Sequence, residues 1–166
     1  MIKKLFSINA VVLSIPDIDN IKLASEILAF PRRKTTDTIS TMFEDTILNV
    51  YDGSEAKRVI DYITKYGDEH EMTLNGYWSQ IHNYLESTDI HHHGFVNFSW
   101  VYYVKVPKDS GKLVFILDTK DDRAPKAVFE PKEGDLIIFP SYIQHKVTKN
   151  MNKEPRISIS GDFIQR

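Results

Sequence analysis

Hydrophobic positions along the chain follow two rhythms, and the change comes near residue 72. Before it, apolar residues fall at helical spacing. Ile21, Leu23, Ala24, Ile27 and Leu28 predict a helix that Asp17, Asp19 or Asn20 would cap, broken by Pro31-Arg32-Arg33-Lys34. Ala56, Val59, Ile60 and Ile63 predict a second helix over 54–66, with Gly67 as its stop. Strands are expected beside these helices over 5–15, ending at Pro16, and over 42–51, closed by Asp52-Gly53. After residue 72 the apolar runs shorten and begin to alternate. Strands are expected over 73–85, 95–106, 112–118, 126–129, 135–139 and 156–163. Turn-forming stretches such as Asp109-Ser110-Gly111 and Glu130-Pro131-Lys132-Glu133-Gly134 divide them.

Short strands with frequent turns predict a mainly β fold with flanking helices, a jelly roll built from residues 73–166. The helix-containing stretch 1–72 would pack against one outer face as an α-helical N-terminal support. No internal repeat or linker interrupts the chain, so residues 1–166 read as a single domain.

Composition then removes several classes of function. Lys and Arg are scattered and the formal net charge is -2, which gives no electrostatic case for a nucleic-acid partner. No apolar run approaches the roughly 20 residues that a membrane span needs. The apolar start from Met1 to Leu13 is interrupted by Asn9 and lacks a small-residue cleavage site, so it reads as a first strand and not as a leader. A cytoplasmic location is expected, the host cytoplasm if the source is viral. With no cysteine in the chain, a metal site must be built from His, Asp or Glu.

Such a site has visible parts. His91-His92-His93 stands directly before the strand-like run from Phe95 to Val106. In extended chain the side chains of His91 and His93 share a face while His92 turns away. His145 follows the segment Gly134-Asp135-Leu136-Ile137-Ile138-Phe139-Pro140 and completes a set of three. Three ligands on one side of a metal leave positions open for other molecules. Further on, alternation in Arg156-Ile157-Ser158-Ile159-Ser160 puts the arginine and both serines on one face, a surface suited to a buried carboxylate held by two guanidinium bonds. Closing an ion pair with Glu154 or Asp162 is the plainer role for Arg156. His70 and His82 lack a comparable context and read as structural; Tyr102, Trp78 and Phe139 read as core.

The ordered combination resembles a known family. His-x-His, a Val-Tyr-Tyr strand at 101–103, Gly-Lys-Leu-Val-Phe at 111–115, the Gly134–Val147 segment and Arg156-x-Ser158 are similar to the double-stranded β-helix oxygenases that depend on iron(II) and 2-oxoglutarate. The likeness covers residues 74–163 and is greatest to a small branch common in phages and marine bacteria, distantly similar to prolyl hydroxylases. The resemblance implies that His91, His93 and His145 bind Fe(II) and carry catalysis. It implies that Arg156 holds the distal carboxylate of 2-oxoglutarate with Ser158 and Tyr103, and that Ser99 and Tyr84 line the same pocket. The reaction would consume O2, release succinate and CO2, and hydroxylate a small-molecule or peptide substrate that the sequence does not identify. Two departures stand out: His93 occupies a position where an acidic ligand is usual, and Trp100 one where glycine is usual. A cupin-type metalloprotein, which leaves Arg156-x-Ser158 unexplained, and a non-catalytic jelly-roll binding module with a vestigial site are the alternatives.

Overall fold

Eleven strands and two helices are found in a computed structural model that describes residues 7–29, 33–35, 38–40, 50–121 and 123–166. In chain order they are β1 (Val11–Ser14), α1 (Asn20–Leu28), β2 (Arg33–Thr35), β3 (Thr38–Ser40), α2 (Glu55–Glu69), β4 (Met72–His82), β5 (Thr88–His91), β6 (Phe98–Lys105), β7 (Leu113–Ile116), β8 (Lys126–Phe129), β9 (Asp135–Pro140), β10 (Gln144–Val147) and β11 (Arg156–Gln165). All pairings are antiparallel. A seven-stranded sheet runs β1-β9-β6-β11-β4-β3-β2, and a four-stranded sheet runs β5-β10-β7-β8. Together they make the jelly-roll-like arrangement that the strand spacing implied.

Asp19 caps α1 by accepting from the Lys22 N–H, and Ser54 caps α2 by accepting from the Lys57 N–H. The stripe Leu23, Ala24 and Ile27 is buried, whereas Ile21 is 84% exposed. That stripe joins Ala56, Val59, Ile60 and Ile63 of α2 in one apolar cluster with Trp100, Tyr102, Ile138, Ile157, Ile159 and Phe163 of the larger sheet. Each of those sheet residues occupies the alternate set of positions that points away from the smaller sheet. A separate cluster of Tyr103, Leu113, Ile137, Phe139 and Val147 lies between the sheets.

Four expectations about elements change. Gly67 does not stop α2, which continues to Glu69; the glycine is buried where a Cβ would sit 2.8 Å from the Phe163 ring and 3.1 Å from the Met72 carbonyl oxygen. Its signal was one of close approach, not of a helix end. The strand over 73–85 ends at His82, and Asn83, Tyr84, Leu85 and Glu86 turn the chain. β5 and β10 are too short and too polar to stand out as apolar runs, and two short strands form where only a break was expected. Of the strand over 42–51, residues 42–49 lie outside the described residues, as do residues 5 and 6 of the first strand; Val50 and Tyr51 are not in a strand. Among the described residues no helix is long and apolar enough to cross a membrane.

Candidate metal centre and carboxylate pocket

The sequence brings His91 and His145 together through pairing between β5 and β10, in which the two are direct register partners. His93 lies beyond the end of β5. Its backbone N–H donates to the Ser141 carbonyl, which turns the chain back towards β10. The three imidazoles each offer a ligand atom within 4.8 Å of the others. Their ring centroids are 4.3 Å apart for His91 and His145, 5.2 Å for His91 and His93, and 5.4 Å for His93 and His145. His92 is exposed and takes no part.

The partners of the rings decide which nitrogen is free. His91 Nδ1 donates to the Asp89 carbonyl at 2.8 Å and His145 Nδ1 to the Ile143 carbonyl at 2.8 Å. His93 Nδ1 donates to the carboxylate of Asp162 at 2.7 Å. A carbonyl or a carboxylate can only accept here, so each Nδ1 carries a proton, and in the neutral ring the lone pair lies on Nε2. Burial favours the neutral form of His91 and His145. It lowers His91, and it lowers His145 to about 4, helped by the neighbouring His91. Three imidazole nitrogens brought this close together fit a divalent metal. Phe139 packs edge-on against His145 at 4.9 Å, and Trp78 stands 5.7 Å from His93, so apolar rings wall this end of the cavity. Both read as core from the sequence; they also line the site.

The other end of the cavity is built around Arg156. Its Cα partners are His82 on β4 and, two residues on, Ser158 pairs with Tyr103 on β6. Arg156 is 1% exposed and lies with its guanidinium carbon 5.1 Å from the Tyr103 ring centre. Among the described residues it has no acidic partner: Glu154 pairs with Lys105, and Asp162 with His93. The ion-pair role considered for Arg156 therefore falls. Arg156 Nε, the Tyr103 hydroxyl and the Ser158 hydroxyl are all buried without a hydrogen-bond partner among the described residues. Buried polar groups are rarely left so. Burial pushes the Tyr103 phenol up to about 12 despite the guanidinium beside it, so it is a neutral donor. This end therefore presents a fixed cation and idle polar groups to the cavity, a donor set fitted to a carboxylate.

The contacts of two residues were missed by sequence reasoning. His82 is fully buried, accepts from Arg156 Nη1 at 3.2 Å through Nδ1, and is 2.8 Å from Thr88 Oγ1 through Nε2. Arginine can only donate, so Nδ1 accepts and Nε2 holds the proton. Burial and the adjacent guanidinium together lower this histidine to about 3, which keeps it neutral. It is structural, as read, but what it braces is Arg156. Asp162 is the second, and the alternation of Arg156, Ser158 and Ser160 was the signal that leads to it. Ser99 lines the cavity at the metal end: its hydroxyl donates to Asp162 Oδ1 at 2.8 Å and lies 3.1 Å from His93 Nδ1. Tyr84 does not reach the cavity. It is 51% exposed in the turn after β4, because the strand that would have carried it inward ends at His82.

Comparison with known proteins agrees with this picture. The model of a family described as "Putative 2OG-Fe(II) oxygenase" matches residues 76–162, more than half of the chain. No curated protein sequence matches. Among solved structures, an oxidoreductase of the 2OG-Fe(II) oxygenase family from Burkholderia pseudomallei superposes with a TM-score of 0.71 at 15% identity, over 95% of this chain and 84% of that one. A prolyl-4-hydroxylase from Pseudomonas putida gives 0.68 at 16% identity, over 95% and 92%. The epimerase SnoN from nogalamycin biosynthesis, in complex with Fe3+, alpha ketoglutarate and nogalamycin RO, gives 0.72 at 13% identity, over 94% and 78%. At such identities the likeness speaks for the fold.

Proposed function

The chain belongs to the 2OG-Fe(II) oxygenase family, and on that premise we propose that His91, His93 and His145 hold the iron while Arg156, Tyr103 and Ser158 hold the distal carboxylate of 2-oxoglutarate. Its cofactors are Fe(II) and 2-oxoglutarate, as the family requires. When bound, they supply the oxidising chemistry, in which the cosubstrate becomes succinate and CO2 as O2 is consumed and a substrate C–H bond is hydroxylated.

One observation carries the assignment. A buried arginine without an acidic partner among the described residues, beside two idle hydroxyls, shares a cavity with three free imidazole nitrogens. Leaving a buried guanidinium uncompensated is costly, and a dicarboxylate offsets that cost. His82 and Thr88 keep the guanidinium from swinging away. Phe139 and Trp78 pack their rings against His145 and His93. The cupin-type and binding-module alternatives leave Arg156, Tyr103 and Ser158 without a purpose.

The rest of the reading rests on the sequence alone. The chain is assigned to the branch found in phages and marine bacteria, acts in the cytoplasm on a small molecule or peptide, and folds as one domain in which α1 and α2 support the larger sheet. The test is an anaerobic titration of the protein with Fe(II) and 2-oxoglutarate. A weak visible metal-to-ligand absorption that needs both is expected. Tight Fe(II) binding with no such absorption at saturating 2-oxoglutarate would return the chain to the cupin-type reading.

A further inference from the structure

The ligand set has an odd charge. A pair of histidines with one carboxylate gives Fe(II) an anionic ligand; three neutral histidines give none. His93 stands where the carboxylate would be expected, yet a carboxylate is not far away. Asp162 Oδ1 is 2.7 Å from His93 Nδ1, on the side of the ring away from the ligand nitrogen.

Asp162 is held there deliberately by the fold. It is the fourth inward-facing residue of β11 after Arg156, Ser158 and Ser160, and its register partner on β6 is Ser99. The Ser99 hydroxyl donates to the same oxygen at 2.8 Å. Asp162 is 9% exposed, and its ion-pair partner among the described residues is His93. No lysine or arginine neutralises it there. A buried carboxylate with one hydroxyl and one imidazole for company is a costly arrangement unless a cation lies beyond the imidazole.

We infer that Asp162 is a positioning residue that supplies the metal centre with its missing negative charge, transmitted through the His93 ring instead of by direct ligation. The inference rests on the metal-site assignment above. By accepting the Nδ1 proton, the carboxylate fixes the tautomer, orients Nε2 and shifts electron density towards it, which strengthens the ligand. The charge of a two-histidine, one-carboxylate site is thereby kept while the acid sits one ring further out.

Co(II), stable in air, serves as the probe, with affinity measured by calorimetry. Asp162→Asn retains an oxygen that accepts from His93 but removes the charge; it is expected to weaken Co(II) binding about 10- to 100-fold, the range seen for partners of metal-ligating histidines. The apo melting temperature should change little, because the Asn oxygen can still accept from both the His93 ring and the Ser99 hydroxyl. In a His93→Asp background the metal has its own carboxylate, and the sign should reverse: Asp162→Asn should leave Co(II) affinity unchanged or improve it by relieving repulsion. Parent-like affinity of Asp162→Asn overturns the inference. So does equal weakening in both backgrounds, or, should His93→Asp fail to fold, a loss of affinity matched by a fall in apo melting temperature. A parent chain that binds no Co(II) would instead sink the metal site itself.

Discussion

The two faces of the seven-stranded sheet are made by the same strands and behave as different materials. On β11, Ile157, Ile159 and Phe163 point outward into the apolar layer that contains α1 and α2. Arg156, Ser158, Ser160 and Asp162 alternate with them and point inward, all buried. The outer set is the usual stabilising arrangement, apolar area removed from water. The inner set buries a cation, an anion and hydroxyls on one face of one strand, with Arg156 and Ser160 lining the cavity. What differs is the consequence of burial: outside it removes apolar area from water, and inside it desolvates charged and polar groups, which is costly without a partner.

That contrast can be broken at either face. The largest effect is expected outside. Ile159→Ala, at a position with no exposed surface, should cost about 2–5 kcal/mol in denaturant unfolding, with 2-oxoglutarate affinity of the folded protein unchanged. Next, Arg156→Ala should raise the 2-oxoglutarate dissociation constant about 10- to 100-fold, the equivalent of about 1.5–3 kcal/mol for charge-assisted bonds. Its apo stability should hold or improve, since an uncompensated charge is removed. A stability loss like that of Ile159→Ala, with normal 2-oxoglutarate binding, would erase the distinction between the faces.

Acid sharpens the comparison. His82 and His145 have folded-state values of about 3 and about 4, below the 6.5 of an open imidazole. The unfolded chain therefore takes up protons first, and apo stability should be complete above about pH 6.5 and fall steadily towards pH 4. His82→Gln should flatten that slope in urea unfolding series; an unchanged slope would mean that these rings are not the acid-sensitive part. The smallest effect belongs to Tyr84→Phe, expected to leave iron and 2-oxoglutarate binding as they are, because the side chain faces solvent.

Much of this was legible in the chain, and the reasons are local. Period-two alternation around Arg156 and the spacing of His91 and His93 are read directly from neighbours in sequence. The apolar stripes of both helices likewise need only a window of a dozen residues. What failed to show was long-range register. His82 meets Arg156 because β4 pairs with β11 across a separation of 74 residues, and no pattern within either strand announces that. The pairing of β5 with β10 is similarly silent, since both strands are short and carry histidines in place of the apolar residues that mark a strand. Tyr84 was misplaced for a related reason: the apolar run continues to Leu85, but the ladder stops at His82. Asp162 was considered only as an alternative partner for Arg156, and it pairs with His93 instead.

The position of β11 has a consequence for how such a chain can change over generations. Arg156 and Asp162 sit on one uninterrupted strand, six residues apart, which at about 3.3 Å per residue separates their backbones by about 20 Å. The interval between the two handles is counted in peptide units, not adjusted by packing. Point substitutions around them can accumulate without altering it. Gain or loss of a single residue between Ile157 and Gly161 would rotate one handle into the oily layer while leaving the other in place. Natural variation in this strand should therefore be rich in exchanges and empty of insertions and deletions, a signature that any set of related sequences can be asked to show.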